Sequence, residues 1–158
     1  MNSTLISKPT KIKAYTTLIR PAVLYGSETW CLTTAAENKL NCFERKILRR
    51  IFGPHRDENG YRRRMNHELQ QMFNKPSIVG MYKANRMRWV GHLERMNDSR
   101  AAKIIYKGGM EGKRLPGRPK GRWKDAVVGD LRKVKEDIRN AQNRGKWRKI
   151  CEAVQSLS

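Results

Sequence analysis

The chain has 158 residues and a mass of 18.4 kDa, which fits one domain or two small helical lobes. Its 35 Lys and Arg outnumber its 14 Asp and Glu, so the formal net charge is +21. An excess of this size excludes an ordinary neutral enzyme and predicts a polyanionic partner.

The composition also indicates the compartment. No stretch approaches the roughly 20 apolar residues of a membrane span, and Lys8, Lys11 and Lys13 interrupt the apolar core that a signal peptide needs. Three cysteines form no disulfide framework. We therefore expect an intracellular protein, nuclear or cytoplasmic and not secreted, with no membrane partner and no small-molecule substrate. Binding to an anionic membrane surface is the weaker alternative, because the aromatic residues are mostly Trp and Tyr among arginines.

The N-terminal region is predicted to be helical. Apolar residues recur at helical spacing over residues 11–24. Pro21 is expected to kink or end this helix, because proline lacks an N–H donor and clashes with the preceding turn. Residues 25–30 then form a turn or a short extended piece.

The clearest predicted helix lies between Thr34 and Gly53. Thr34 and Glu37 have the spacing of a capping box, and Gly53 followed by Pro54 is a typical helix stop. One face is apolar and carries Leu40, Phe43, Ile47, Leu48 and Ile51. The opposite face is basic and carries Arg45, Lys46 and Arg49, with Arg50 at its border. A single basic face of this kind is equally consistent with a solvated helix surface and with a binding surface.

Residues 54–65 are predicted to form a polar loop, followed by a short helix through residue 73 that Asn66 caps. Three consecutive arginines end the loop: Arg62, Arg63 and Arg64.

A longer helix is predicted from Pro76 to about Met96. Arg86 falls within its apolar face, so its guanidinium must reach water, pair with a carboxylate, stack on Tyr82 or Trp89, or contact a ligand. The structural alternatives together outweigh the ligand. The apolar face consists of Ile78, Val79, Tyr82, Trp89, Val90, Leu93 and Met96.

Glycine and proline divide the C-terminal third. Ser99 caps a segment over residues 100–107 that is helix or strand, and residues 108–121 are too rich in Gly and Pro for regular structure. Two helices follow, over residues 123–135 and after the cap Asn143. We expect an all-α chain with segments at 1–53, 54–107, 108–122 and 123–158.

No active site is visible in the sequence. His and Cys lack the spacing of zinc ligands, and Ser27 does not lie in a nucleophile elbow. Carboxylates are too scarce and scattered for a two-metal site. We predict no catalytic residue, no metal ligand and no cofactor.

The strongest binding signal is the linker segment at residues 113–123. Its prolines hold the backbone extended, so that its arginines project at a low ordering cost. Gly117-Arg118-Pro119 matches the core of an AT-hook, although Pro116 stands where an arginine is expected. A disordered basic linker is the alternative. The predicted nucleic-acid contacts are Arg45, Lys46, Arg49, Arg50, Arg62, Arg63, Arg64, Arg86, Arg88, Arg118, Lys120, Arg122, Trp123 (by stacking) and Arg148.

Several segments together resemble a known family. They are LIRP at 18–21, LYGSETW at 24–30, FERKILRRI at 43–51, RMRWVGH at 86–92 with RM at 95–96, GRP at 117–119 with RW at 122–123, and NRxxWR at 143–148. In this order they resemble the C-terminal part of the reverse transcriptase of non-LTR, LINE-type retrotransposons, in the RTE-like and craniofacial-development-protein-2-like group.

The resemblance implies a helical, thumb-like bundle, a basic Gly/Pro-rich linker and two C-terminal helices. In the family, this region grips template RNA and the primer duplex, and an upstream palm binds the Mg²⁺ for polymerisation; those ligands are absent here. We expect an RNA- or DNA-binding fragment without its own active site. The alternatives are a contribution to RNA-directed DNA polymerase activity with a palm-bearing reverse transcriptase, or a non-functional relic of a retroelement.

Overall fold

The computed structural model describes residues 5–58, 60–108 and 122–157, and these residues are mainly helical. The all-α prediction is confirmed. The helices are α1 Lys8–Ala14, α2 Arg20–Val23, α3 Thr34–Phe52, α4 Asn66–Phe73, α5 Ile78–Arg95, α6 Ala101–Lys107, α7 Trp123–Lys133 and α8 Arg144–Gln155. A π turn covers Tyr15–Ile19, and 3₁₀ turns cover Ser27–Thr29 and Ile138–Gln142.

The chain divides into two compact units. Unit 1 comprises Met1–Tyr25 with Thr34–Val79, and unit 2 comprises Gly26–Thr33 with Gly80–Ser158. The four-segment division derived from the sequence stays a prediction. Most of the basic linker, residues 109–121, lies outside the described residues.

Pro21 does not end the first helix. The chain stays helical from Lys8 to Val23, because a π turn precedes the proline and the N–H of Arg20 donates to the carbonyl of Tyr15, five residues earlier. Pro21 then occupies the first turn of α2, where the N–H that it lacks is not needed.

The predicted polar loop contains a small β-hairpin, which corrects the prediction for residues 54–65. Strand β1, His55–Asp57, pairs antiparallel with β2, Gly60–Arg62. The predicted cap of α4 is also wrong, because the N-cap is Met65, whose N–H donates to Glu68 Oε2 at 2.6 Å. Three-residue strands are too short for alternating hydrophobicity to reveal them.

The core of unit 1 surrounds one buried acid. Glu44 on α3 accepts from the hydroxyl of Tyr15 at 2.8 Å and from the N–H of Ile78 at 2.9 Å, and it pairs with Arg20 at 3.2 Å. Burial, followed by the charge of Glu44, raises the pKa of Tyr15, so this hydroxyl remains a donor. The apolar residues of this core are Tyr15, Leu48, Ile51, Phe52, Leu69 and Phe73.

The core of unit 2 forms where α5, α7 and α8 bring their apolar side chains together. Met87, which the predicted apolar face omitted, is fully buried, whereas Trp89 is only half-buried. The indole Nε1 of Trp147 donates to the carbonyl of Met87 at 2.8 Å. The indole lies against Gly91, where a Cβ would overlap its Nε1 and Cδ1 atoms. Gly91 is therefore required by packing.

We expect Gly91→Ala to lower the free energy of unfolding by about 1–3 kcal/mol, because the indole of Trp147 cannot move without losing its hydrogen bond. The matched control is Gly129→Ala in α7, where a Cβ meets nothing within 4 Å. This variant should raise the free energy by about 0.5–1 kcal/mol, since alanine is the better helix former. Urea unfolding followed by circular dichroism measures both, and equal effects of the two variants would contradict the packing described.

Candidate nucleic-acid interface

An open cleft of about 660 Å³ on unit 1 gathers five of the predicted contacts. The outward face of α3 forms one side, and the segment between the hairpin and α4 forms the other. We call this the basic cleft; it is lined by Cys42, Arg45, Lys46, Arg49, Arg50, Arg63 and Asn66.

Two arginines of the basic cleft, Arg45 and Arg49, are oriented by neutral groups. Arg45 Nε donates to the carbonyl of Asn41 at 3.2 Å. Arg49 donates from Nε to the carbonyl of Arg64 at 3.2 Å and from Nη2 to Asn66 Oδ1 at 2.6 Å. Carbonyl and amide oxygens fix the geometry of a guanidinium without neutralising its charge.

The charge of the basic cleft is uncompensated at its lining. None of the described residues that line it carries a carboxylate. Burial, then the charges of Arg63 and Arg45, lower the pKa of Arg49 from its ordinary value. Cations that repel one another across an open cleft are stabilised by an anion between them, and phosphate oxygens match guanidinium donors well.

Arg62 and Arg64 have a different role from the arginine between them. Arg62 forms a two-pronged contact with Glu68, at 2.7 and 3.1 Å, and pairs with Asp57 at 3.4 Å. Arg64 Nε donates to the carbonyl of Gly53 at 3.0 Å. Both side chains brace the hairpin, whereas Arg63 is exposed and lines the basic cleft.

Two predicted contacts of unit 2 lie in structural positions. Arg86 is 2% exposed, forms an ion pair with Asp130 at 2.5 Å and donates to the hydroxyl of Tyr82 at 2.6 Å. Trp123 packs against the core of unit 2, and its Nε1 donates to the carbonyl of Glu28 at 2.8 Å. Arg86 also lies over the Tyr82 ring, with its guanidinium carbon 4.9 Å from the ring centroid, so the carboxylate and the Tyr82-stacking alternatives are both realised.

The remaining predicted contacts lie in unit 2 or outside the described residues. Arg88, Arg122 and Arg148 are exposed in unit 2, where Arg148 pairs with Glu152 on the same helix at 3.2 Å. Arg118 and Lys120 lie outside the described residues. Sequence reasoning missed Cys42 and Asn66 as lining residues, although Cys42 lies about one helical turn before Arg45.

The described residues contain no cluster of three or more His, Cys, Asp or Glu side chains arranged to hold a metal ion. In the same part of the chain, none of the helices combines the length and the apolar composition that crossing a bilayer requires.

Comparison with known proteins gives one distant similarity. The chain is similar to an uncharacterized transposon-derived protein of Caenorhabditis elegans, F52C9.6, with 23% identity over 124 residues. The match covers 78% of this chain and 44% of that protein, so the chain spans less than half of its relative's length. No family model and no solved structure matches the chain.

The brace between Arg62 and Glu68 should depend on pH. The hydrogen bonds from Arg62 and from the Met65 N–H lower the pKa of Glu68 from 4.5 to about 2. The stabilisation is therefore complete above pH 4.5 and is lost as the pH falls through about 2. A carboxyl-carbon NMR titration of Glu68 measures this. Arg62→Gln should return the pKa towards 4.5, and the control Arg56→Gln in the same hairpin should not change it.

The pair of Arg86 and Asp130 should show the coupling of a buried ion pair. Arg86→Met leaves Asp130 buried with Lys133 at 3.8 Å as its remaining ion-pair partner, and should cost about 3–5 kcal/mol in urea unfolding. The double variant Arg86→Met with Asp130→Leu should be more stable than Arg86→Met alone. A double variant whose loss equals the sum of the two single losses would contradict a direct pairing.

Proposed function

We propose that this chain is the nucleic-acid-binding part of a retrotransposon-derived protein, and that the basic cleft binds the phosphate backbone of RNA or DNA. The observation that carries the proposal is the gathering of five cationic side chains around one cleft, where the described lining residues include no acid. The net charge of +21 adds a long-range attraction for a polyanion.

A polymer fits the basic cleft better than a small anion does. The cleft is open, and its cations extend from Arg45 to Arg50 along more than one turn of α3. A polyphosphate backbone offers several charges in sequence, whereas a single small anion would neutralise only one or two of these side chains. Contacts of this kind fix position and carry no base sequence.

The transposon-derived relative and the resemblance to the C-terminal part of a non-LTR reverse transcriptase support the retrotransposon origin. On this proposal the chain grips template or primer, and a palm-bearing reverse transcriptase is the partner that supplies polymerisation. On the same proposal, the basic cleft supplies the grip.

Binding of a fluorescein-labelled 12-nucleotide strand, followed by anisotropy, tests the proposal. The affinity should fall steeply with salt, with a slope of about −0.7 to −0.9 in log K against log salt per phosphate neutralised. The triple variant Lys46→Gln, Arg50→Gln and Arg63→Gln should make this slope shallower by about two to three, because three phosphate contacts are lost.

The matched control is Arg132→Gln, Arg144→Gln and Lys149→Gln, which removes the same charge from exposed positions of unit 2. It should change the slope much less than the cleft variant does. Equal slopes for the two triple variants, or binding that salt does not weaken, would overturn the proposal.

A further inference from the structure

The hairpin beside the basic cleft presents one aromatic ring to solvent. Tyr61 on β2 is 74% exposed, in a chain whose other tyrosines include the fully buried Tyr15 and Tyr82. The hairpin sequence gives this ring no apolar neighbour on the opposite strand, because the residue directly across from Tyr61 is Arg56. The Tyr61 ring is therefore exposed to solvent on the strand and is not part of an apolar core.

Arg56 and Tyr61 form a charged aromatic pair. The guanidinium carbon of Arg56 lies 6.0 Å from the centroid of the Tyr61 ring, within the range of a cation–π interaction. Both side chains are exposed. A planar ring accompanied by a cation is a favourable surface for a nucleobase, because the base stacks on the ring while the cation attracts the adjoining phosphate.

The local fold holds this pair in place beside the basic cleft. The inward residues Arg62 and Arg64 fasten the hairpin, through Glu68 and the carbonyl of Gly53 respectively. Tyr61 and Arg63 are the exposed members of the same alternation, and two residues of extended chain span roughly 7 Å. Arg63 lines the basic cleft, so the backbone positions of Tyr61 and of this cleft cation lie about one extended nucleotide apart.

We propose that Tyr61, with Arg56, is a base-stacking platform that selects single-stranded nucleic acid whose phosphates occupy the basic cleft. This inference rests on the proposed function. A strand with unpaired bases can place one on the ring, whereas the bases inside a duplex are already stacked on their neighbours. The basic cleft alone would attract both forms through their phosphates.

The test compares a 12-nucleotide oligo(dT) strand with a strand of the same length that carries abasic sites, using anisotropy at one salt concentration. Tyr61→Ala should weaken binding of oligo(dT) about 5- to 150-fold and leave binding of the abasic strand unchanged, because only the stacking contact is lost. Tyr61→Phe keeps the ring and should bind oligo(dT) within about twofold of the wild type.

The matched control is Tyr25→Ala, since Tyr25 is 87% exposed in the same unit but lies outside the hairpin. This variant should bind oligo(dT) as the wild type does. Photocrosslinking of a 5-iodouracil-substituted strand, mapped by mass spectrometry, should give Tyr61 as a crosslinked residue.

Two results would overturn the stacking proposal: a Tyr61→Ala variant that binds oligo(dT) normally, or one that loses affinity for the oligo(dT) and abasic strands equally. In either case the proposed function survives if wild-type binding is salt-dependent and requires the basic cleft. Absence of any salt-dependent binding would instead remove the proposed function itself.

Discussion

The placement of a small number of carboxylates decides which cations are structural and which face solvent. In unit 1, Glu44 pairs with Nη2 of the buried Arg20, and in unit 2, Asp130 pairs with Nη2 of the buried Arg86. Lys103, which is 2% exposed, lies 3.4 Å from Glu94. A buried cation without such a partner would be strongly destabilising. Several of the chain's 14 Asp and Glu residues therefore lie beside buried cations, and fewer remain to pair with the exposed ones. By contrast, none of the described residues that line the basic cleft is an acid, so the cations on this face of α3 are not paired there.

The run of three arginines at residues 62–64 likewise contains both structural and exposed cations. Arg62 and Arg64 turn inward to brace the hairpin, and the strand alternation then places Arg63 and Tyr61 on the exposed side. Arg62 and Arg64 therefore hold Arg63 and the Tyr61 ring on the exposed side of the hairpin segment. Such pre-organisation lowers the ordering cost of binding a flexible strand.

Helical periodicity in the sequence predicts most of the fold. It gives α3, α4 and α5 to within a few residues, and Gly53, at φ 74°, ends α3 as predicted. Other features depend on contacts between residues distant in sequence. The partner of Arg86 lies 44 residues away, and Trp123 reaches a carbonyl 95 residues away. The strands of the hairpin are too short to show alternating hydrophobicity, so the sequence does not predict the pairing of Arg56 with Tyr61.

The most direct measurement is an arginine side-chain Nε–Hε NMR spectrum recorded while a 12-nucleotide strand is added. We predict that the signals of Arg45, Arg49 and Arg63 shift, because their guanidinium groups meet phosphates. Those of Arg20 and Arg86 should stay in place, because both guanidinium groups are buried and pair through Nη2 with internal carboxylates. Shifts of similar size in all five arginines, or in none, would contradict this prediction.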